Sequence, residues 1–417
     1  LKNYKHRNDC RLCGATDFEL VLPILPSAIG DAFVTKEQLN EVQEVYPLDT
    51  YLCLTCGHLQ NLDVVDPEIL FRNYTYRTSA SLGLVEHFKK YAQSVVEGLS
   101  IPFESFVVEI GSNDGSLLKA YQNLGMRVMG VDPALEIAAT ASAEGIRTIP
   151  EFFTSLIAQD IRTAFGPAQL MCANNVFAHA DNIRDIVKGI RTLLSPDGVF
   201  VFEVSYIPEM IDNFVFDTIY HEHVSHHALI PLERFFNSLD MSIFDAEQVS
   251  TKGGSIRGFA QPLSTGKRPK TSRYIDMVSL ENQRGITKPE IYRAFNQGIE
   301  YRKQAVLEFV DKEIQAGRII VGYGASTTTT TLLYHFELQT RLKFIVDDNP
   351  LKFNLFSPGA HLPVYSSSAL YSKSPDIVVI LAWQYVDAIV KKNQQFLKNG
   401  GRFLVPLPDL KVVSFED

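Results

Sequence analysis

Four of the five cysteines form two C-x2-C pairs, Cys10-Arg11-Leu12-Cys13 and Cys53-Leu54-Thr55-Cys56, each followed at once by a glycine, Gly14 and Gly57. A glycine there lets the backbone turn tightly, with N–H groups aimed at the thiolates. Four thiolates at this doubled spacing suit tetrahedral zinc and leave no open coordination position, so the expected metal is structural. Two disulfides are the alternative, and the intracellular-looking composition disfavours them. Cys172 stands in an apolar stretch and reads as an inert core thiol.

A second constellation is Tyr220-His221-Glu222-His223. An imidazole works as a base near neutral pH, and an adjacent carboxylate can orient it. Residues at i and i+3 meet on a helical turn, which would bring Tyr220 against His223 with Glu222 beside them. Four histidines between His221 and His227 could also hold a metal, but their spacing is not that of H-E-x-x-H. A surface turn without chemistry is the plain alternative.

Two glycine turns suggest ligands. Val107-Val-Glu109-Ile-Gly111-Ser-Asn113-Asp114-Gly115 reads as an apolar strand ending in an acid, then a turn that opens a helix. Asp132-Pro133 ends the next strand 21 residues after Gly111, where a carboxylate can accept the hydroxyls of a ribose. Asn113 occupies the place of the second glycine of G-x-G-x-x-G, so a dinucleotide pyrophosphate is not the expected ligand. A cationic nucleoside without phosphates fits better beside Glu109 and Asp114. The later segment Gly322-Tyr323-Gly324-Ala-Ser326 repeats the strand–turn–helix pattern, Asp347 ends its next strand, and His361 lies in a loop between Gly359 and Pro363. No Lys or Arg follows this second turn, only Thr327 to Thr331; the strip Lys252–Arg257 is the expected source of positive charge for a diphosphate.

The elements that must position these groups read as α/β. Apolar runs at Phe106–Ile110, Val128–Val131, Arg147–Ile149, Gln169–Cys172 and Val199–Val204 alternate with helical spacing from Ser116, Ala134 and Ile183. A helix over Val85 to Leu99 precedes them, and a second series follows at Arg318–Val321, Phe344–Val346, Asp376–Leu381 and Arg402–Val405. Residues before about Leu70 are short pieces broken by prolines, too little core to stand without a metal staple. The expected domains are 1–70 (zinc-binding), 71–265 (ligand turn and base) and 266–417 (second nucleotide-like unit).

Length and charge bound the function. The chain has 417 residues, 46% of them apolar and 21% charged, with a net charge of −9. That is ample for several cores, and no broad basic field is available to collect nucleic acid. No apolar run approaches the ~18 residues that span a bilayer, and no signal-peptide core follows the polar start, so the expected location is cytoplasmic with neither nucleic acid nor membrane as partner.

Glu109–Gly115 with Gly130-Val-Asp132-Pro133 resembles the S-adenosylmethionine site of class I methyltransferases. With the cysteine pairs, Tyr220–His223 and Gly322-Tyr-Gly324, the chain resembles, over nearly its full length, the sugar C-methyltransferases that build branched deoxysugars on nucleotide diphosphates. The resemblance implies a zinc-binding N-terminal domain, a central Rossmann-like methyltransferase domain, and a second Rossmann-like C-terminal domain that helps hold the nucleotide sugar. It implies that Gly111, Asp114 and Asp132, within motifs that also hold Glu109, Asn113 and Pro133, bind the methionyl part and ribose. Phe152 would lie near the adenine, and Asn174 and Asn175 at the end of the fourth strand. Tyr323, Gly324, Ser326, Asp347 and His361 would face the acceptor. His223 would be the base, supported by Tyr220 and Glu222, with His179 and Tyr76 as further site residues. The implied reaction moves a methyl group from S-adenosylmethionine to C3, or C5, of a 4-keto-deoxysugar, thymidine diphosphate being the expected carrier. An O- or N-methyltransferase of the same architecture, or a zinc-containing interaction module, are the competing classes.

Overall fold

The computed structural model describes residues 3–72, 77–78, 83–250 and 253–415. Its centre is a seven-stranded sheet whose strands, in spatial order, are Met241–Val249, Ser255–Pro262, Leu194–Ser205, Ala168–Asn174, Phe106–Ile110, Arg127–Val131 and Thr148–Ile149. Numbered along the chain, this order is 6-7-5-4-1-2-3. Ser255–Pro262 is antiparallel to both neighbours, and the remaining strands run parallel to one another. Helices Leu84–Gly98, Ser116–Asn123, Leu135–Ala143, Ser155–Phe165 and Ile183–Leu193 lie between and before these strands in the chain. The core strands are buried on both faces, which is why Phe106–Ile110 reads as a continuous apolar run rather than an alternation.

A six-stranded sheet repeats the plan in the C-terminal part, in the order Val364–Ser366, Ile345–Asp347, Ile320–Tyr323, Ile377–Ile380, Arg402–Val405 and Lys411–Val413. Its first five strands are parallel and the last is antiparallel. The 27-residue helix Pro289–Gln315, with Pro at its start, precedes this sheet.

The N-terminal segment builds an antiparallel sheet from Phe18–Leu22, Thr50–Cys53 and Leu59–Asn61, and its fourth strand is Ser225–His226, lent by the central segment. Val21, Leu22, Leu52 and Leu59 join one continuous core with the six-stranded sheet. The cysteine-bearing segment is therefore packed into the molecule and not a free module. No helix among the described residues is long and apolar enough to cross a membrane.

Candidate functional site

A cavity of about 540 Å³ opens at the C-terminal ends of the central parallel strands, the place where such sheets take ligands. Glu109, Gly111, Asn113, Asp132, Pro133, Phe152, Asn174 and Asn175 all line it, and so does His179. Gly111 has φ +67°, and a Cβ there would stand 2.4 Å from Val176 Cγ2. The turn thus needs glycine for both conformation and space. The Asn113 N–H donates to Asp132 Oδ2 at 2.8 Å and the Ala134 N–H donates to Oδ1 at 2.9 Å, which fixes the carboxylate at the mouth of the second strand.

Polar atoms at the floor of the cavity are held back from solvent. Glu109 Oε2 is buried with no hydrogen-bond partner among the described residues, and the Asn174 side-chain amide lies buried beside the Glu109 carboxyl. Burial pushes the Glu109 carboxyl well above its ordinary range, with the Asn174 amide opposing and Asp132 and Asp114 adding to the rise. Buried groups of this kind call for a polar or cationic ligand. Asp114 is the exception among the expected ligands: it accepts from the Ser116 N–H and hydroxyl and does not line the cavity. Residues that sequence reasoning passed over also line it, among them Lys5, Asp66, Phe71 and Asp181. They arrive from the N-terminal segment and from the loop after the fourth strand, and no local motif marks them.

Tyr220 and His223 meet in a turn closed by the His223 N–H donating to the Tyr220 carbonyl at 2.8 Å. The Thr218 carbonyl, 2.8 Å from His223 Nδ1, can only accept, so in the neutral ring Nδ1 carries the proton. Nε2 then offers its lone pair, and the Tyr220 hydroxyl lies on it at 2.8 Å. Glu222, between them in sequence, is buried. His179 stands with its ring 5.0 Å from that of His223 and stacks on Phe71 at 5.4 Å, so it lies between the cavity and the Tyr220–His223 pair. Tyr76 lies outside the described residues.

His221, His226 and His227 face elsewhere. His221 Nε2 is 3.2 Å from the Tyr46 carbonyl, and His226 Nε2 is 3.1 Å from Asn61 Oδ1. Burial pushes His221 and His227 down to about 4. They are neutral packing groups of the seam with the N-terminal sheet, and no second metal cluster forms among the described residues.

The four cysteines do converge. Their Sγ atoms all lie within 4.8 Å of one another, with Cys10–Cys56 at 3.7 Å and Cys13–Cys53 at 3.6 Å. The Cys56 thiol draws Cys10 down to about 5. This donor set fits a closed tetrahedral zinc site. Cys172 is fully buried, its thiol pushed up to about 12 by burial.

The second glycine turn is internally satisfied. Asp347 Oδ2 accepts from the Ala325 N–H at 2.6 Å, the Tyr323 hydroxyl donates to Asp348 at 2.9 Å, and Ser326 and Thr329 form a capping box. The N-terminal loop sits on it, with the Thr330 hydroxyl donating to the Gly30 carbonyl at 3.0 Å and Lys352 paired with Asp31 at 2.9 Å. Tyr323, Gly324, Ser326, Asp347 and His361 line no part of the 540 Å³ cavity. Arg257 cannot serve a diphosphate as expected: it is buried, paired with Glu203 at 3.0 Å and Glu247 at 2.8 Å, and lies over the Tyr91 ring. Lys252 lies outside the described residues.

The strand order, the single reversed strand and an acid-lined cavity beyond the first, second and fourth strands define a class I methyltransferase. Over 410 residues the chain is 33% identical to the C-methyltransferase NovU of Streptomyces niveus, covering 98% of this chain and 97% of that protein. Family models match residues 10–71 as a zinc binding domain, 85–240 as a methyltransferase domain and 250–408 as a C-methyltransferase C-terminal domain. The chain belongs to the C-methyltransferase family, and it is an S-adenosylmethionine-dependent enzyme with a zinc-binding N-terminal domain. Looser likeness extends to magnesium protoporphyrin IX methyltransferase from Synechocystis PCC 6803, at 15% identity and TM-score 0.34 over 43% of this chain and 83% of that one. PH0226 from Pyrococcus horikoshii OT3 is similar at 14% identity and TM-score 0.35, over 47% and 97%.

Proposed function

We propose that the enzyme methylates C3 of a nucleotide-diphosphate-linked 4-keto-deoxysugar through an enolate, in the assembly of a branched sugar. The observation that carries this reading is the Tyr220–His223 pair, set behind His179 at the cavity wall. Carbon is a poor nucleophile until a neighbouring carbonyl lets its proton leave, so methyl transfer to carbon needs a base where transfer to a heteroatom often needs only proximity.

S-adenosylmethionine, when bound, supplies an electrophilic methyl on sulfur. Glu109, Gly111, Asn113, Asp132 and Asn174 would hold it, with Phe152 on the adenine side. His223 accepts the C3 proton at Nε2, directly or through the Tyr220 hydroxyl, which passes its own proton to the ring. The Thr218 carbonyl steadies the resulting imidazolium at Nδ1–H. Glu222 supports the pair, and His179 orients the acceptor from the cavity side. Tyr323, Gly324, Ser326, Asp347 and His361 are assigned to the nucleotide end of the acceptor, together with the N-terminal loop that covers that turn.

The test is solvent-proton exchange. A thymidine-diphosphate 4-keto-6-deoxysugar in heavy water is incubated with enzyme and followed by NMR. Enzyme-dependent loss of the C3 proton signal, then a new C3 methyl on adding S-adenosylmethionine, is the expected result. Methylation of a hydroxyl or amine without exchange sinks the enolate reading in favour of an O- or N-methyltransferase.

A further inference from the structure

Hydrogen bonds tie the cysteine knuckles to the wall of the cavity. Arg11, inside the first C-x2-C pair, has a fully buried side chain. Its Nε donates to Asp181 Oδ1 at 3.1 Å, and its Nη1 donates to Gln60 Oε1 at 3.1 Å and to the Asn61 carbonyl. Gln60 closes the loop back to the metal ligands, its amide donating to Cys10 Sγ at 3.1 Å. Arg184 adds a bond to the Leu12 carbonyl of the same knuckle.

Asp181 sits two residues beyond His179, on the loop that walls the cavity. The same loop receives the histidine motif: the N–H groups of Val224 and Ser225 both donate to the Ala178 carbonyl, at 2.8 and 3.1 Å. Ser225–His226 in turn pairs with the strand Leu59–Asn61 that carries Gln60. The knuckle is thus hydrogen-bonded toward His179 through Arg11 and Asp181, and toward His223 through Gln60 and its strand. Lys5 and Arg7 also pair with Asp181: Lys5 is mostly exposed, where an ion pair contributes little, whereas Arg7 is largely buried and shares Oδ1 with Arg11 at 3.0 Å, so two guanidinium groups hold this carboxylate. Arg11 is the one whose buried guanidinium also reaches the knuckle, joining Asp181 through Nε to Gln60 and Asn61 through Nη1, while its Nη2 has no hydrogen-bond partner among the described residues.

We propose that Arg11 is a positioning residue: the metal-ordered knuckle sets, through the Arg11–Asp181 pair, the place of His179 against His223 at the cavity wall. This deepens the proposed reaction and rests on the reading that these histidines serve methyl transfer. The zinc stays structural, yet its loss would reach the reacting centre before it unfolds the chain.

The test uses the full-length zinc-loaded protein with 13C-labelled histidine, the His179 ring signal being assigned with His179→Gln. In Arg11→Met, zinc content stays at one per chain and S-adenosylhomocysteine affinity stays within about 2-fold, while the His179 signal shifts. The turnover number falls by roughly 10–100-fold, the usual effect of removing a group that orients a site residue. Arg11→Lys falls between, and stripping zinc from the unaltered protein moves the same His179 signal. An unmoved signal and unchanged turnover in a zinc-loaded Arg11→Met overturn the proposal. Should Arg11→Met fail to fold or lose zinc, Asp181→Asn leaves the knuckle intact and decides by the same two readouts. Asp181 lines the cavity, so a loss of turnover there with weakened S-adenosylhomocysteine binding and an unmoved His179 also counts against it. If no protein methylates any keto sugar, the sugar reading has failed, while the His179 signal still judges the linkage.

Discussion

The hydroxyl of Tyr220 lies 2.8 Å from Nε2 of His223, while the other ring nitrogen faces the Thr218 carbonyl at 2.8 Å. The imidazole is held in one tautomer, with its basic nitrogen on the phenol. Tyr220→Phe removes the hydroxyl on that nitrogen, at a modest stability cost of about 1 kcal/mol. Turnover is expected to fall 10²–10⁴-fold, the usual worth of a positioned acid or base. His223→Ala should lose C3 proton exchange and methyl transfer together. If exchange survives in His223→Ala, the base is another group, with Glu222 and His179 next to be tested.

Gly111 gives a test of the cofactor turn that involves no charged group. Its positive φ costs an alanine roughly 1–2 kcal/mol, and the new Cβ would press on Val176. Gly111→Ala should abolish measurable S-adenosylhomocysteine binding in calorimetry. Gly111→Ala/Val176→Ala relieves the clash but not the backbone strain, so binding should return only in part. Full recovery in the double variant would show that space alone makes glycine necessary there.

How much of this was legible in the sequence depends on how local each feature is. Strands such as Phe106–Ile110 and Arg402–Val405 stand at the residues their apolar runs mark, because a parallel strand buried on both faces announces itself. The run expected at Arg318–Val321 begins at Ile320, since Arg318 and the Ile319 N–H are both bonded to Asp376. The pair Met241–Val249 and Ser255–Pro262 left no clear period. Arg257, Gly258 and Gln261 interrupt a strand that is nevertheless buried throughout, its charge neutralised by Glu203 and Glu247. Within the site, the cysteine quartet and the i, i+3 contact of Tyr220 with His223 follow from spacing. The approach of His179 to His223, and of Arg11 to Asp181, is set by sheet topology across 44 and 170 residues, and no local pattern records it.

Acid should unfold the protein early, and the sign follows from its buried imidazoles. Burial pushes His221, His227 and His335 down to about 4, and holds His58 and His226 well below their ordinary value. Below pH ~6.5 the unfolded chain takes up protons at these five sites and the folded chain does not, so stability present above that pH is lost on acidification. Buried carboxyls oppose this: burial raises Asp217 to about 7 and also raises Glu109, Asp132 and Glu281. The buried imidazoles set the sign, so stability should fall as the pH drops from about 6 to about 4.5. Urea midpoints across that range measure it. His335→Asn keeps an acceptor for the Leu25 N–H and should flatten the slope by about one proton. A midpoint independent of pH would contradict the argument.

Zinc removal should separate two roles of the N-terminal segment. Its sheet shares a strand and a core with the rest of the molecule, so the chelated protein is not expected to lose the central sheet. What it loses is the order of the knuckles, where Cys10 and Cys53 are buried and Cys13 is exposed. Cys53→Ser should therefore lower the thermal midpoint more than Cys13→Ser, although each removes one of four ligands. Both should reduce bound zinc, because a tetrahedral site short of one thiolate binds far more weakly. Far-ultraviolet circular dichroism should remain near native in the metal-free protein at 25 °C while its melting point falls. Collapse of the whole spectrum on chelation would instead mean that the metal nucleates the entire fold. The shared strand Ser225–His226, two residues past His223, would then be the route by which that loss spreads into the central domain.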